Sequence, residues 1–215
     1  MKKLLIVVAL LLLPARMTWA SSINLVANGD FSQGATGFST DYQQADGSLY
    51  SLWPDGMFAV AANPGDMHPL WENGGDHDGG GNFLLVNGHT DHASTVWFEP
   101  VPTDIGQDYA LSAWAKNLCC VNSDPSYEPP HLQFWVNGLL FGNLFTDGPG
   151  VWEAFSHSFT AGSATTTLEI RDMATAYSGN DFGIDSIALQ ATPEPMSLIM
   201  LGTGLSLAAW KRRRA

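Results

Sequence analysis

The clearest β-hairpin signal in the chain is the stretch HLQFWVNGLLFGNL, residues 131–144. At its centre Asn137-Gly138 separates two apolar runs. A two-residue type I′ turn needs positive φ at both central positions, and Asn-Gly accommodates this well. The stretch therefore predicts two antiparallel strands, 131–136 and 139–144, joined by a tight turn.

Similar segments recur on both sides of this hairpin. Gly, Pro, Asn and Asp punctuate the chain at short intervals, and no helical period persists between them. Alternation is clear where Phe155, His157 and Phe159 share one face of a segment. The other predicted strands are 57–61, 83–86, 95–99, 109–115, 152–160, 165–171 and 182–190. So many short strands predict one all-β domain, a jelly-roll β-sandwich over residues 21–191, with 21–23 and 192–195 as linkers.

The N-terminus has the three parts of a secretory signal peptide. Lys2 and Lys3 precede an uninterrupted apolar run, residues 4–13, and Thr18-Trp19-Ala20 places small residues before Ser21. The run is too short to span a bilayer as an uncleaved signal anchor. We therefore expect cleavage after Ala20 and export of the chain.

The C-terminal segment, residues 192–215, also combines three parts. Pro193-Glu194-Pro195 is followed by an uncharged apolar stretch, 196–210, which predicts a short transmembrane helix. Such a helix spans roughly 22 Å, less than the ~30 Å of a bilayer core. Four basic residues then hold the end on the cytoplasmic side. They are Lys211, Arg212, Arg213 and Arg214.

This order of parts resembles the PEP-CTERM sorting signal of Gram-negative bacteria, whose tripeptide is Pro-Glu-Pro. The resemblance implies an inner-membrane intermediate that an exosortase-type membrane protease recognises and cleaves. The protein would then reach the cell surface or the extracellular space. The alternative is an ordinary C-terminal membrane anchor.

Between the two targeting segments the chain is strongly acidic. Lys116 and Arg171 are the only basic residues in 21–191, against 20 acidic ones. A net charge near −18 excludes nucleic acid and anionic membrane surfaces as natural partners. It suits a soluble exported protein, or one that meets cations such as Ca²⁺.

Five motifs succeed one another along the predicted strands. They are NLVANGDF at 24–31 with the following Gly34 and Gly37-Phe38, GNFLLVNG at 81–88, YALSAW at 109–114, WEAF at 152–155 and DFGIDSIAL at 181–189. This succession resembles carbohydrate-binding modules with a galactose-binding-like jelly-roll fold, whose last strand ends in Phe-x-Ile/Leu-Asp-x-Ile/Val. The resemblance implies a module that binds carbohydrate, here exopolysaccharide after sorting.

In that family the opening motif and the closing Asp often share a structural Ca²⁺. The resemblance implies Asp185 as a ligand, assisted by Asn28 and Asp30. The family commonly has Glu after the Phe, where this chain has Ser32, so one anionic ligand is lost. Calcium takes six to eight oxygens. The alternative is that Asp185 caps the strand junction by hydrogen bonding.

Sugar rings stack their C–H faces on flat aromatic side chains, which makes the tryptophans of 21–191 candidate contacts. Four lie on predicted strands and are expected in the core, because aromatics fill β-sandwiches. These are Trp97, Trp114, Trp135 and Trp152. Trp53 and Trp71 lie on predicted loops, where packing explains them less well. These two are the predicted ligand contacts.

Residues 76–92 concentrate histidine and aspartate. Asp76-His77-Asp78 is followed by His89, Asp91 and His92, a set that can ligate a metal through imidazole and carboxylate groups. No closing Glu completes an EF-hand-like loop from Asp76. We therefore favour two polar loops flanking the strand 83–86.

Cys119 and Cys120 are the only cysteines, in a chain expected in an oxidising compartment. Adjacent Cα atoms lie about 3.8 Å apart, below the usual disulfide span. We expect a vicinal disulfide that stiffens the turn after strand 109–115. Two buried thiols and an intermolecular bridge are the alternatives.

The sequence contains no nucleophile elbow, phosphate loop or zinc-protease motif. Pairs of acids suited to glycoside hydrolysis exist through abundance alone. We therefore expect a surface or matrix protein that binds carbohydrate and is not an enzyme. The alternative is a structural matrix protein that acts through protein contacts, and a secreted hydrolase is a minor alternative.

Overall fold

The computed structural model describes residues 23–79, 81–90, 94–120, 127–146, 148–176 and 178–192. The predicted signal peptide and the sorting segment from residue 193 onward, with its helix 196–210, lie outside the described residues. Within the ranges given above, no helix is long and apolar enough to cross a membrane.

The described residues form ten strands and one short helix. The strands are β1 (Gln43–Gln44), β2 (Met57–Ala61), β3 (Phe83–Asn87), β4 (Ser94–Pro102), β5 (Asp108–Asn117), β6 (His131–Val136), β7 (Leu139–Phe145), β8 (Glu153–Thr160), β9 (Thr165–Asp172) and β10 (Asp181–Ala191). The helix, α1, spans Pro64–Met67. All nine predicted strands are confirmed, with ends that differ by at most three residues. The sequence did not predict β1 or α1.

The strands form two sheets that pack face to face. The six-stranded sheet has the order β1-β2-β3-β10-β5-β8, and the four-stranded sheet has the order β4-β9-β6-β7. Neighbouring strands are antiparallel except for the pair β1 and β2. The predicted β-sandwich is confirmed.

The hairpin of β6 and β7 turns at the predicted position. Asn137 has φ 51° and Gly138 has φ 74°, so both residues adopt the left-handed conformation that an Asn-Gly turn requires. The turn is also tied to the neighbouring strand β9, because the Asn137 side-chain oxygen accepts a hydrogen bond from the Thr167 amide at 2.8 Å. This contact helps to fix the register of three strands.

The main core fills the space between the two sheets. Leu132, Phe134 and Val136 of β6 are buried there, and Phe134 stacks on Phe155 of β8 with ring centroids 3.7 Å apart. Ile184 of the central strand β10 is fully buried in the same core. Inter-sheet contacts of this kind hold the two layers together.

A second apolar cluster lies on the outer face of the six-stranded sheet. Phe83 and Leu85 of β3 pack there against Leu52 and Met67, which come from the segments between the first strands. Strand β3 is therefore buried at all five positions, which explains why its sequence is apolar without alternation. Gly183 is needed beneath Phe83, since a Cβ atom there would lie 2.6 Å from the ring.

The structure joins Cys119 and Cys120 in a vicinal disulfide just after β5. Cys119 is buried in the second apolar cluster, and Cys120 packs partly against it. The disulfide thus lies at the edge of the layer that covers the six-stranded sheet.

Asp172, Asp181 and Asp185 are buried, and burial is the main cause of their raised pKa values. The pKa of Asp172 rises to about 7, and those of Asp181 and Asp185 rise to about 6. Asp172 accepts hydrogen bonds from the Tyr42 hydroxyl at 3.2 Å and from the Asn180 amide at 2.9 Å. These bonds favour the charged form but do not outweigh its desolvation.

We predict that the fold is less stable at pH 8 than at pH 5. In the unfolded chain an Asp has a pKa of about 3.9, so between pH 4 and 7 the folded state binds more protons than the unfolded state. The free energy of unfolding therefore falls as the pH rises through this window. Burial lowers the pKa of His68 to about 4 and that of Lys116 to about 8. Both shifts act in the opposite sense, but Lys116 titrates mainly above this window and His68 is one group against three carboxyls. Urea denaturation at the two pH values measures the difference.

Asp172→Asn is the matched variant, because it removes one titrating group and keeps the side-chain shape. Between pH 5 and pH 8 it should flatten the pH dependence by up to about 3 kcal/mol, since the folded-state pKa of about 7 lies about two units above pH 5 and one pKa unit corresponds to about 1.4 kcal/mol. Equal or greater stability of the wild-type protein at pH 8 would contradict this account of the buried carboxyls.

Candidate functional site

The outer face of the four-stranded sheet carries a row of polar and aromatic side chains. In β6 every second residue is buried, so His131, Gln133 and Trp135 point away from the core. In β9 the same alternation turns the partly buried side chains of Glu169 and Arg171 to this side. The strand register pairs Gln133 with Arg171 and Trp135 with Glu169. These side chains therefore form one continuous surface, which we call the outer platform.

Arg171 connects the charged and aromatic parts of the outer platform. Its Nε and Nη2 atoms donate to the two carboxylate oxygens of Glu169 at 2.7 and 2.9 Å. The guanidinium carbon also lies 4.5 Å from the centroid of the Trp135 ring, a cation–π distance. The Thr95 hydroxyl of β4 also donates a hydrogen bond to the Glu169 carboxylate at 2.8 Å. The orientation of the indole is thus fixed by an ion pair that is itself held in place.

The other end of the outer platform is built from β6 and the edge strand β7. The His131 ring stacks on Phe145 with centroids 4.0 Å apart. The Asn143 side-chain oxygen lies 2.8 Å from His131 Nε2 and accepts a bond from the Gln133 amide at 3.1 Å. This end therefore presents amide and imidazole groups beside an exposed ring.

A groove of about 290 Å³ borders the outer platform at β4. It is lined by Ser39, Thr40, Asp41, Thr95, Phe98 and Glu169. The Asp41 carboxylate accepts a bond from the Thr95 amide at 2.9 Å, and the Thr40 hydroxyl donates to the Thr95 carbonyl at 3.1 Å. The N-terminal loop is thereby fixed against β4 as one wall of the groove.

Chemically, this surface combines a flat apolar ring with many hydrogen-bonding groups. An indole offers an apolar face, while the carboxylate accepts hydrogen bonds, the guanidinium donates them and the carboxamides do both. Because Arg171 and Glu169 neutralise each other, the centre of the outer platform has no net charge. The arrangement suits an uncharged ligand that has one apolar face and many hydroxyl groups.

The structure separates the two tryptophans that were predicted to contact a ligand. Trp71 is only 5% exposed, and its indole N–H donates to the buried Asp181 carboxylate at 3.0 Å. Trp53 is 55% exposed. Ligand contact at either residue stays a prediction, but only Trp53 presents a large open surface.

The strand tryptophans also differ from one another. Trp97 is 1% exposed, which confirms the expected core position. The same expectation is wrong for Trp135, because the alternation of β6 turns it outward onto the platform. Trp114 also points outward, but the His77 ring covers it at a centroid distance of 3.9 Å. Trp152 packs partly against the second apolar cluster.

The predicted calcium ligand Asp185 lies beside two other carboxylates. Oxygens of Asp76, Asp78 and Asp185 lie within 4.8 Å of one another. Asp76 and Asp78 belong to the segment 76–92, in which the sequence concentrates histidine and aspartate. The two oxygens of Asp185 accept the amides of His77 at 2.9 Å and Ser186 at 2.7 Å. The nearby Lys116 ammonium interacts favourably with Asp76 and Asp185, and burial lowers its pKa to about 8.

This donor set does not match calcium well. Calcium takes six to eight oxygens, and three carboxylates reach that number only if each binds through both oxygens. Both oxygens of Asp76 and of Asp185 already accept backbone amides. The side chains of Asn28 and Asp30, the other predicted ligands, form hydrogen bonds within the loop that contains them. Asn28 donates to the carbonyls of Gly34 and Thr36, and Asp30 accepts from Ser32. Calcium binding at Asp185 stays a prediction.

The outer platform is the set of candidate functional residues that the sequence did not predict. The signal for it was present: Leu132, Phe134 and Val136 alternate with His131, Gln133 and Trp135. A tryptophan that shares a strand face with Gln and His is on the polar face. The general preference of tryptophan for β-sandwich cores hid this distinction.

Comparison with known proteins supports the fold. No protein-family model matches the chain, and no curated protein matches it. Among solved structures, TmCBM61 in complex with β-1,4-galactotriose is 14% identical with a TM-score of 0.52, over 80% of this chain and 100% of that one. The tandem CBM22-1-CBM22-2 domain of Paenibacillus barcinonensis Xyn10C is 13% identical with a TM-score of 0.50, over 80% of this chain and 47% of that one. The described domain thus shares the jelly-roll fold of carbohydrate-binding modules.

Proposed function

We propose that the protein binds an uncharged polysaccharide on the outer platform of its four-stranded sheet. The observation that carries this proposal is the Trp135 ring, which points outward with Arg171 over one of its faces and lies on the same strand face as Gln133 and His131. The fold that the chain shares with carbohydrate-binding modules supports the same conclusion, as does the groove beside β4.

The geometry assigns separate roles to the parts of the outer platform. The apolar face of a sugar ring packs on Trp135, while its hydroxyl groups exchange hydrogen bonds with Gln133 and Asn143. Arg171 and Glu169 orient the indole and offer further polar atoms at its edge. Because these groups are fixed before the ligand arrives, little conformational entropy is lost on binding.

We predict that Trp135→Ala weakens polysaccharide binding at least about tenfold, or about 1.4 kcal/mol. The substitution removes the apolar surface on which the sugar ring packs. Affinity gel electrophoresis measures the effect, with β-1,4-galactan, xylan and the producing cell's own exopolysaccharide as probes.

Ile105→Ala is the matched control. Ile105 is an exposed apolar side chain in the turn between β4 and β5, away from the outer platform. This variant should bind like the wild-type protein, and the thermal melts of both variants show whether they fold. Unchanged retardation of folded Trp135→Ala, or no retardation of the wild-type protein by any probe, would refute the proposal.

We further propose that the protein is exported and sorted by an exosortase-type membrane protease. Supporting this are the signal-peptide pattern before Ser21 and the order of Pro193-Glu194-Pro195, apolar stretch and basic end. Sorting to the surface would bring the outer platform into contact with exopolysaccharide.

The sorting proposal predicts that the mature extracellular protein lacks residues 196–215. Intact mass spectrometry of the secreted form measures this, with Glu194→Ala as the variant that should block processing. An extracellular product that still carries Lys211 to Ala215 would contradict the proposal, as would normal processing of the variant.

We propose a role in binding and not in catalysis, because the outer platform offers a surface and no catalytic constellation among the described residues. A structural role through protein contacts is the second candidate. It is favoured by the exposed apolar side chains Leu49, Tyr50 and Leu70. Self-association without any sugar, seen by sedimentation velocity, would support that candidate.

A further inference from the structure

We propose that Trp53 forms a second sugar platform on the opposite side of the sandwich, so that one molecule bridges two polysaccharide chains. This inference rests on the proposed function, since it assumes that the protein binds polysaccharide. It adds a second site and a consequence, the cross-linking of the polymer.

Trp53 and Trp135 lie on opposite sides of the molecule. Leu52, the residue before Trp53, is buried in the cluster on the outer face of the six-stranded sheet. Phe83 and Leu85 of β3 supply the sheet side of that cluster. Trp135 lies on the outer face of the other sheet, and the main core separates the two faces. No single sugar ring can contact both tryptophans.

The orientation of the Trp53 ring is fixed by a stack of three rings. Trp53 stacks on His68 at a centroid distance of 4.9 Å and an interplanar angle of 19°. His68 stacks in turn on Trp71 at 4.9 Å and 29°. Trp71 anchors the stack through its indole bond to Asp181 at 3.0 Å. The backbone of Trp53 is fixed as well, because the side-chain amide of Asn87 donates a hydrogen bond to the Trp53 carbonyl at 3.2 Å.

This stack leaves a flat indole surface open to solvent. Trp53 is 55% exposed although one of its faces lies on His68. A flat indole face of this kind is a surface on which the apolar face of a sugar ring can pack. Because the ring is already immobilised, a sugar that packs on it does not have to order it.

The charge of the domain favours an uncharged polymer over a second copy of the chain. Residues 21–191 carry 20 acidic and two basic residues, so two copies repel each other. A neutral polysaccharide meets no such repulsion. It also presents the same sugar unit many times, so the polymer that binds to the outer platform can bind to Trp53 too.

Two platforms on opposite sides have a measurable consequence. Each molecule can hold two polymer chains or two distant segments of one chain, which raises the apparent affinity for the polymer and cross-links it. Trp53→Ala should abolish polymer cross-linking, measured as the viscosity increase on adding protein to the bound polysaccharide. It should also lower the number of oligosaccharides bound per molecule from two to one in titration calorimetry.

The experiment compares five proteins on the same three probes: wild type, Trp53→Ala, Trp53→Phe, Trp135→Ala and Leu70→Ala. Trp53→Phe keeps a flat ring and should retain cross-linking in part. Leu70 is an exposed apolar neighbour on the same side, and Leu70→Ala should leave sugar binding unchanged, whereas it would weaken an apolar protein-docking patch. Thermal melts establish that each variant is folded.

The outcomes separate this inference from the proposed function. One site per molecule in the wild-type protein, or cross-linking unaffected by Trp53→Ala, overturns the second platform and leaves the outer platform in place. A sedimentation change in Trp53→Ala without sugar shows that a second copy covers the ring, and this also overturns the inference. Loss of all binding in Trp135→Ala likewise overturns it, while absence of any binding in the wild-type protein overturns both proposals.

Discussion

The two-residue period of β6 and β9 is the constraint on which the outer platform depends. Leu132, Phe134 and Ile170 are buried between the sheets, and their burial determines which neighbours point outward. A register shift of one residue would send Trp135 into the core and Phe134 into solvent. The Asn137-Gly138 turn, bonded to Thr167 of β9, helps to prevent such a shift. The core thus positions the surface that we propose as the binding site.

The two sheets differ because a second apolar cluster covers the outer face of the six-stranded sheet at β2 and β3, whereas no such cluster lies on the four-stranded sheet among the described residues. The segments between β1 and β3 cover the six-stranded sheet with a second apolar cluster. This cover places the His77 ring over one face of Trp114 and buries Trp71. It also buries Asp181 and raises its pKa. The same layer that stabilises the sheet thereby leaves Trp53 as its outermost aromatic ring.

Local sequence signals predicted the strands well. The Asn-Gly turn and the alternation of apolar residues depend on neighbours in sequence, so the nine predicted strands and the sandwich were accessible without a structure. The two-residue strand β1 escaped because Gln43-Gln44 carries no apolar pattern. Strand β1 is defined by its parallel pairing with β2, and this pairing depends on the tertiary fold and not on the local sequence.

The candidate sites depended on contacts between residues distant in sequence, which no local pattern contains. Asp185 was predicted to share a calcium ion with Asn28 and Asp30 of the opening motif. In the structure its carboxylate lies beside those of Asp76 and Asp78, about a hundred residues earlier in the chain. Trp71 was predicted to be available because it lies on a loop, but Asp181 provides a buried partner for its indole. Trp135 depends on Arg171 of the neighbouring strand, and this pairing follows from the sheet order.

The most direct measurement of the central claim is an NMR titration of the isotopically labelled protein with a short oligosaccharide of the polysaccharide that it binds. Backbone and side-chain resonances report contact residue by residue, without altering the surface. We expect the largest changes in chemical shift at Gln133, Trp135 and Arg171, on the outer platform. Shifts confined to β5 and β8, or to the turns at the sheet ends, would contradict the central claim.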